Sequence, residues 1–198
     1  MKQAEIFIYI FTILKNGQLG QLYVGKRLKD RESFSHLLEL AARPMAVCSY
    51  EGNLEFSMEH IKQEYPSYGT GDMRYPAYEI LQKNGSRISE FVYKEHQIYQ
   101  GKPKLSGLPA TYVEKENQIT QTELILTYTI FENLSAIARN ARFCHHGEDA
   151  VMLDRAMSIS VDLPDREYEM IELTGAWARE RSVKKRKLEH GIQAVYSM

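Results

Sequence analysis

Glu123-Leu124-Ile125-Leu126-Thr127-Tyr128-Thr129-Ile130-Phe131 is the stretch that decides the fold class. Written in extended form, it puts Leu124, Leu126, Tyr128 and Ile130 on one face and Thr127 and Thr129 on the other. A period of two belongs to a strand with one buried and one wet face, as in an antiparallel sheet. The same alternation returns at Met157, Ile159, Val161 and Leu163, interleaved with Ser158, Ser160 and Asp162. Nearer the start, Ile6–Leu14 and Leu19–Val24 flank Lys15-Asn16-Gly17-Gln18, where Asn-Gly supplies the positive φ angles of a tight hairpin. Lys83-Asn84-Gly85-Ser86 repeats the device between Tyr78–Gln82 and Ile88–Tyr99.

Helical spacing is sparse. Ser33–Ala42 carries Phe34, Leu37, Leu38 and Ala41 at about the right intervals, and Pro44 would end a helix there. Met58–Glu64 leaves room for one more turn before Pro66. Short strands joined by Gly- and Asn-based turns therefore predict a mainly β protein, an antiparallel β-sandwich with one or two short helices.

Composition agrees and excludes several classes. The 198 residues are 43% hydrophobic and 26% charged, with a net charge of -1. No global field draws such a protein to nucleic acid or to an anionic membrane. Thirteen tyrosines against one tryptophan suit a pleated surface. The apolar run Ile6–Leu14 is too short to span a bilayer, which takes about 20 residues, and no small-residue cleavage site follows it. Two cysteines, Cys48 and Cys144, fit a reducing compartment rather than a disulfide scaffold, so a cytoplasmic location is expected.

Few residues offer chemistry. Gln63 to Tyr78 holds four tyrosines, two prolines and two glycines, and Tyr68, Asp72 and Arg74 are its candidates for touching a sugar or an interface. Aromatic rings stack on sugar C–H faces, and charged groups fork onto hydroxyls. Equally, Pro and Gly mark a rigid loop, with Asp72 and Arg74 paired locally. Cys144-His145-His146 next to Glu148 and Asp149 has metal-ligand residue types without metal-ligand spacing, and reads as a hairpin turn. Carboxylate pairs such as Asp162/Asp165 and Glu167/Glu169 bracket Pro164 and read as solvated turn residues. The basic run Arg179, Arg181, Lys184, Lys185, Arg186 and Lys187 is interrupted by Glu180 and followed by Glu189, so it reads as a solvated or interface strand. No cofactor or metal is expected.

Several phrases resemble one family. They are Leu22-Tyr23-Val24-Gly25-Lys26-Arg27-Leu28, Gln63 to Asp72 ("QEYPSYGTGD"), Tyr99 to Glu114 ("YQGKPKLSGLPATYVE"), Ser160 to Asp165 ("SVDLPD") and Leu173 to Arg181 ("LTGAWARER"), in that order. On these the protein resembles glycoside hydrolase family 36, bacterial α-galactosidase type. The resemblance implies an N-terminal β-supersandwich, then a (β/α)₈ barrel and a small β domain. It implies retaining hydrolysis of terminal α-galactosides such as melibiose and raffinose by two barrel aspartates. It also implies homo-oligomers in which N-terminal loops, here about Arg43 to Asn53, reach a neighbour's active site. Phrases like the family's catalytic "KWDMNR" and "CSGGGGRFD" do not occur in residues 1–198. The chain is thus expected to be a partial N-terminal domain without the catalytic barrel, inactive alone, and incomplete at its start, middle and end. Gln118 to Thr122 is expected to replace a strand pair. A stand-alone carbohydrate-binding or oligomerisation module is the other reading. Missing strands would leave unpaired edges and marginal stability.

Overall fold

The structure is a computed structural model that describes residues 7–41, 49–50, 53–69, 74–98, 111–117, 121–131, 136–164 and 166–196. It is mainly β, as the alternation predicts, and forms two compact units, Met1–Asp162 and Leu163–Met198.

In the first unit β1 (Phe7–Ile13) and β2 (Leu19–Lys26) form the expected antiparallel hairpin, with Ile13 opposite Leu19 and Phe7 opposite Lys26. Its turn is closed by Leu14 N donating to Gln18 O at 2.7 Å and Gly17 N to Leu14 O at 2.9 Å, with Gly17 at φ +80. β3 (Ser49–Tyr50) pairs with β4 (Asn53–Ser57). β5 (Tyr78–Leu81) is followed by β6 (Val92–Ile98), β7 (Thr111–Asn117), β8 (Thr122–Phe131) and β9 (Ala136–His145). The last four make an antiparallel sheet in the order β6-β7-β8-β9, and β10 (Met152–Ala156) crosses back to pair with β5.

The core explains this arrangement. Leu124, Leu126 and Tyr128 of β8 are at most 4% exposed and meet Leu19 of β2, Tyr65, and Tyr78 and Ile80 of β5. The four-stranded sheet is thereby covered by the β1–β2 hairpin and the β5–β10 ladder, a two-layer packing. Aromatic rings carry much of it: Tyr65 stacks on Tyr78 at 5.6 Å, Phe11 on Tyr128 at 5.4 Å, and Phe91 meets Tyr78 edge-on at 5.1 Å. A smaller cluster joins Leu14, Phe56, Met58 and Ile61.

Four expectations are corrected. The turn at Asn84-Gly85 closes, with Gln82 N on Ser86 O at 2.9 Å, but its flanks do not pair. β5 takes β10 as partner while β6 joins the other sheet, because a turn sets local direction and burial decides pairing. Likewise β9 and β10 are joined by a turn but form no hairpin. Met157 to Leu163 forms no strand, and Ile159 (48%) and Leu163 (51%) remain exposed. Side groups pin residues 157–162 where a ladder was expected. The Ser33–Ala42 helix shrinks to a single 3-10 turn, Ser35–Leu37, and residues 58–60 are only a turn. β7 and β8 pair directly in unbroken register from Tyr112 opposite Thr127 to Asn117 opposite Thr122.

The second unit is one antiparallel hairpin, β11 (Glu169–Ala176) with β12 (Arg179–Lys187). Its Glu172 lies between Lys184 and Arg186, each at 3.6 Å. Ile171, Leu173 and Val183 share its other face and are 61–68% exposed, and Trp177 at the tip is 93% exposed.

Candidate functional site

The segment from Gln63 to Tyr78 holds the sequence-derived candidates, and the structure describes two of them, Tyr68 and Arg74. Tyr68 sits in a turn and is 46% exposed. Asp72 lies outside the described residues. Arg74 has partners far from it in the sequence among the described residues. Its Nη1 donates to the carboxylate of Asp162 and its Nη2 to Ile61 O at 2.7 Å. Asp162 is itself held through its backbone, since Gln21 donates Nε2 to its carbonyl and accepts its N–H, each at 3.0 Å. Arg74 is therefore a tie between β2, the 61–64 stretch and the 157–162 stretch, with its fork already occupied.

The residue that sequence reasoning overlooked is Glu64. It is wholly buried, and its backbone N–H donates to Leu19 O at 2.9 Å, which fixes the segment along β2. Tyr9 and Tyr128 each donate a hydroxyl to its carboxylate at 2.5 Å. Arg139 of β9, 3% exposed, pairs with the same carboxylate at 2.8 Å. Arg139 also donates to Ser160 O and Glu64 O, each at 3.0 Å, and lies over the Tyr128 ring at 5.0 Å. Burial first, and then the neighbouring Glu64 charge, hold both phenols well above their ordinary pKa. An acidic residue beside Tyr65 and Pro66 gives no periodic signal, and only the odd placement of a charge among core tyrosines could have revealed it.

This constellation is complete in itself. Glu64 accepts from two phenols and a guanidinium in a site closed to solvent. A retaining glycosidase needs two carboxyl groups about 5–5.5 Å apart with a sugar between them, which a buried, saturated carboxylate cannot serve. The other carboxylates of the first unit that meet basic partners are engaged as well. Glu79 lies between Arg87 (2.8 Å) and Arg155 (2.7 Å), and Asp154 pairs with Arg87 at 2.5 Å.

Two surface features remain. Tyr75, 59% exposed, rests on the Arg155 guanidinium at 4.1 Å. A polar cleft of about 570 Å³ is lined by Gln82, Lys83, Gln121, His145 and Asp149 among others. No tyrosine, phenylalanine or tryptophan lines it among the described residues. His145 bonds Thr122 Oγ1 through Nδ1 at 2.9 Å and the Asp149 carbonyl through Nε2 at 2.8 Å. Both of its nitrogens are thus committed to the turn. The Arg43–Asn53 stretch, expected to reach a neighbouring subunit, lies almost wholly outside the described residues, and so does Tyr99 to Ala110.

Comparison with known proteins bears on this geometry. The family model described as the glycosyl hydrolase family 36 N-terminal domain matches residues 17–198. The α-galactosidase AgaA of Geobacillus stearothermophilus is 38% identical over 200 residues, covering 96% of this chain and 27% of that protein. α-Galactosidase 1 of Pediococcus pentosaceus is 32% identical, again over 96% of this chain and 27% of its own length. Among solved structures, an α-galactosidase from Lactobacillus brevis superposes with a TM-score of 0.89 at 36% identity, over 96% of this chain. The Geobacillus enzyme superposes with a TM-score of 0.87 over 98%. Crystal structures of its variants contain raffinose and stachyose. The chain thus spans about a quarter of the length of the relatives it matches.

Proposed function

The chain belongs to the glycosyl hydrolase family 36 N-terminal domain family, and from that premise we propose that residues 1–198 form the N-terminal, non-catalytic β-sandwich portion of an α-galactosidase. The intact enzyme removes terminal α-D-galactosyl groups from sugars of the melibiose and raffinose type by a retaining double displacement. Its nucleophile and its acid/base carboxylate lie outside residues 1–198, and this part supplies the frame. The single observation that carries the reading is the superposition at TM-score 0.89 and 36% identity over nearly the whole length. The saturated state of Glu64 supports it from within, because this wholly buried carboxylate holds strands together and is closed to substrate.

We place the protein in the cytoplasm, working on small sugars without nucleic acid or membrane partners, and as part of a homo-oligomer. A free thiol at Cys144 and the two-cysteine composition support the compartment. Among the described residues no helix is long and apolar enough to cross a membrane.

A second reading, a carbohydrate-binding or oligomerisation module, draws on the exposed rings of Tyr68 and Tyr75. Tyr75 is braced on one side by Arg155, which Glu79 holds in turn. The two readings part in one pair of measurements on the folded protein. The first reading expects no hydrolysis of p-nitrophenyl α-galactoside and a flat calorimetric titration with raffinose. Turnover by residues 1–198 alone would overturn it. Heat of raffinose binding that disappears in Tyr75→Ala would transfer the assignment to the second.

A further inference from the structure

We propose that Asn84-Gly85 is a self-modification site, where the folded protein converts Asn84 to aspartyl and isoaspartyl forms while the matching Asn16-Gly17 stays intact. These are the two Asn-Gly pairs of the sequence, and their turns are near copies. Gly17 N donates to Leu14 O and Gly85 N to Gln82 O, both at 2.9 Å. Oδ1 of Asn16 accepts Gln18 N at 3.1 Å, and Oδ1 of Asn84 accepts Ser86 N at 2.9 Å. The glycines stand at φ +80 and +82. Whatever distinguishes their reactivity must therefore come from what surrounds them.

The reaction requires the glycine nitrogen to attack Cγ of the preceding asparagine. A bond forms between that nitrogen and Cγ, the Cγ–Nδ2 bond breaks, and ammonia leaves. Water then opens the resulting succinimide at either carbonyl, giving Asp or isoAsp. The balance is one water in and one ammonia out, with no oxidant or metal. Glycine at the second position favours it because no Cβ shields its nitrogen and its backbone can leave the turn. That nitrogen is hydrogen-bonded in both turns, so attack waits on local opening, whose free energy varies across a structure.

At Asn16-Gly17 opening is opposed on every side. Asn16 Nδ2 donates to Met58 Sδ at 3.3 Å, so both ends of its amide are held. Gly17 O accepts Tyr93 N at 2.7 Å, and a Cβ on Gly17 would stand 3.3 Å from Cβ and Cγ1 of Val92. The preceding Leu14 is core, and paired strands run on from both ends of the turn. Of these restraints Asn84-Gly85 keeps, among the described residues, only a paired strand on its near side, β5. Asn84 and Gly85 are exposed, nothing lies within 4 Å of where a Gly85 Cβ would be, and residues 86–91 are irregular. The product would add a negative charge to the turn that, with Lys83 and Asp149, borders the polar cleft.

Peptide mass spectrometry of the folded protein, held for days in mildly alkaline buffer, tests this. A peptide spanning 82–91 should gain one mass unit and split into two equal-mass products, at a rate at least about tenfold above the peptide carrying Asn16. In concentrated urea the two rates should converge, since only the fold separates them. Equal rates in the folded protein would overturn the proposal. So would an Asn84 that survives folded incubation while both sites convert in urea.

Discussion

The knot around Glu64 and the β11–β12 hairpin lie on two of the phrases that mark the family, yet they are built on opposite terms. At Glu64 a charge is taken fully out of water and every partner is supplied from elsewhere in the sequence: Tyr9 from β1, Tyr128 from β8 and Arg139 from β9. In the hairpin the order is reversed. The charges of Glu172, Lys184 and Arg186 pair across the two strands, while Ile171, Leu173, Val183 and Trp177 face outward. Two such phrases can thus serve opposite ends, one closing the core and one lying at the surface, and burial tells the two apart. "QEYPSYG" belongs mostly to closure, and "LTGAWARER" to display.

Substitutions can break or sharpen that contrast. The largest effect is expected at the knot. Glu64→Ala strands the Arg139 charge and two phenol hydroxyls in the core, and should cost about 3–5 kcal/mol in urea unfolding. Next comes the packing beside it, where Leu124→Ala should cost about 2–5 kcal/mol through lost burial and a cavity. Arg74→Ala removes a partly exposed ion pair and one bond to a carbonyl, and about 1–2 kcal/mol is expected. The hairpin should respond least: Leu173→Ser should shift the same unfolding curve by under about 0.5 kcal/mol. A hairpin substitution that rivals Glu64→Ala would erase the contrast.

Alkaline pH probes the knot from another side. Burial lifts the pKa values of Tyr9, Tyr78 and Tyr128 and pushes that of Tyr65 up to about 12. The unfolded protein releases these protons near pH 10, whereas the folded protein keeps them. Their contribution to stability is whole below about pH 10 and is lost as pH rises through the folded values. Tyrosinate absorbance of these buried rings should therefore appear together with unfolding. Ionisation of Tyr9, Tyr65, Tyr78 and Tyr128 near pH 10, with the fold intact, would contradict the burial described.

Some of this is plain in the sequence, and the rest is hidden for physical reasons. β1 and β2 are legible because an Asn-Gly turn joins two apolar runs, and β8 because Leu124, Leu126 and Tyr128 alternate and are buried. The pairing of β5 with β10 is hidden, since an Asn-Gly turn specifies how the backbone reverses and not which strand it meets. Met157 to Leu163 misleads because hydrogen bonds from Tyr65, Arg139 and Gln21 can hold a segment as firmly as a ladder can. Of the site candidates, Arg74 stands out in the sequence as a group needing a partner. One of its partners, Asp162, lies 88 residues away, a separation that local reading does not reach. Glu64 escapes notice because a lone carboxylate in a tyrosine-rich loop has the composition of a surface.

The central claim, that these residues are the frame of an α-galactosidase whose chemistry lies elsewhere, is tested most directly by a chimera. Residues 1–198 would replace the region they match in the Geobacillus stearothermophilus α-galactosidase AgaA, and release of galactose from raffinose would be followed. The account predicts a folded chimera that hydrolyses raffinose, whereas residues 1–198 alone do not. A chimera that is folded by circular dichroism and cooperative melting, yet releases no galactose, would contradict it.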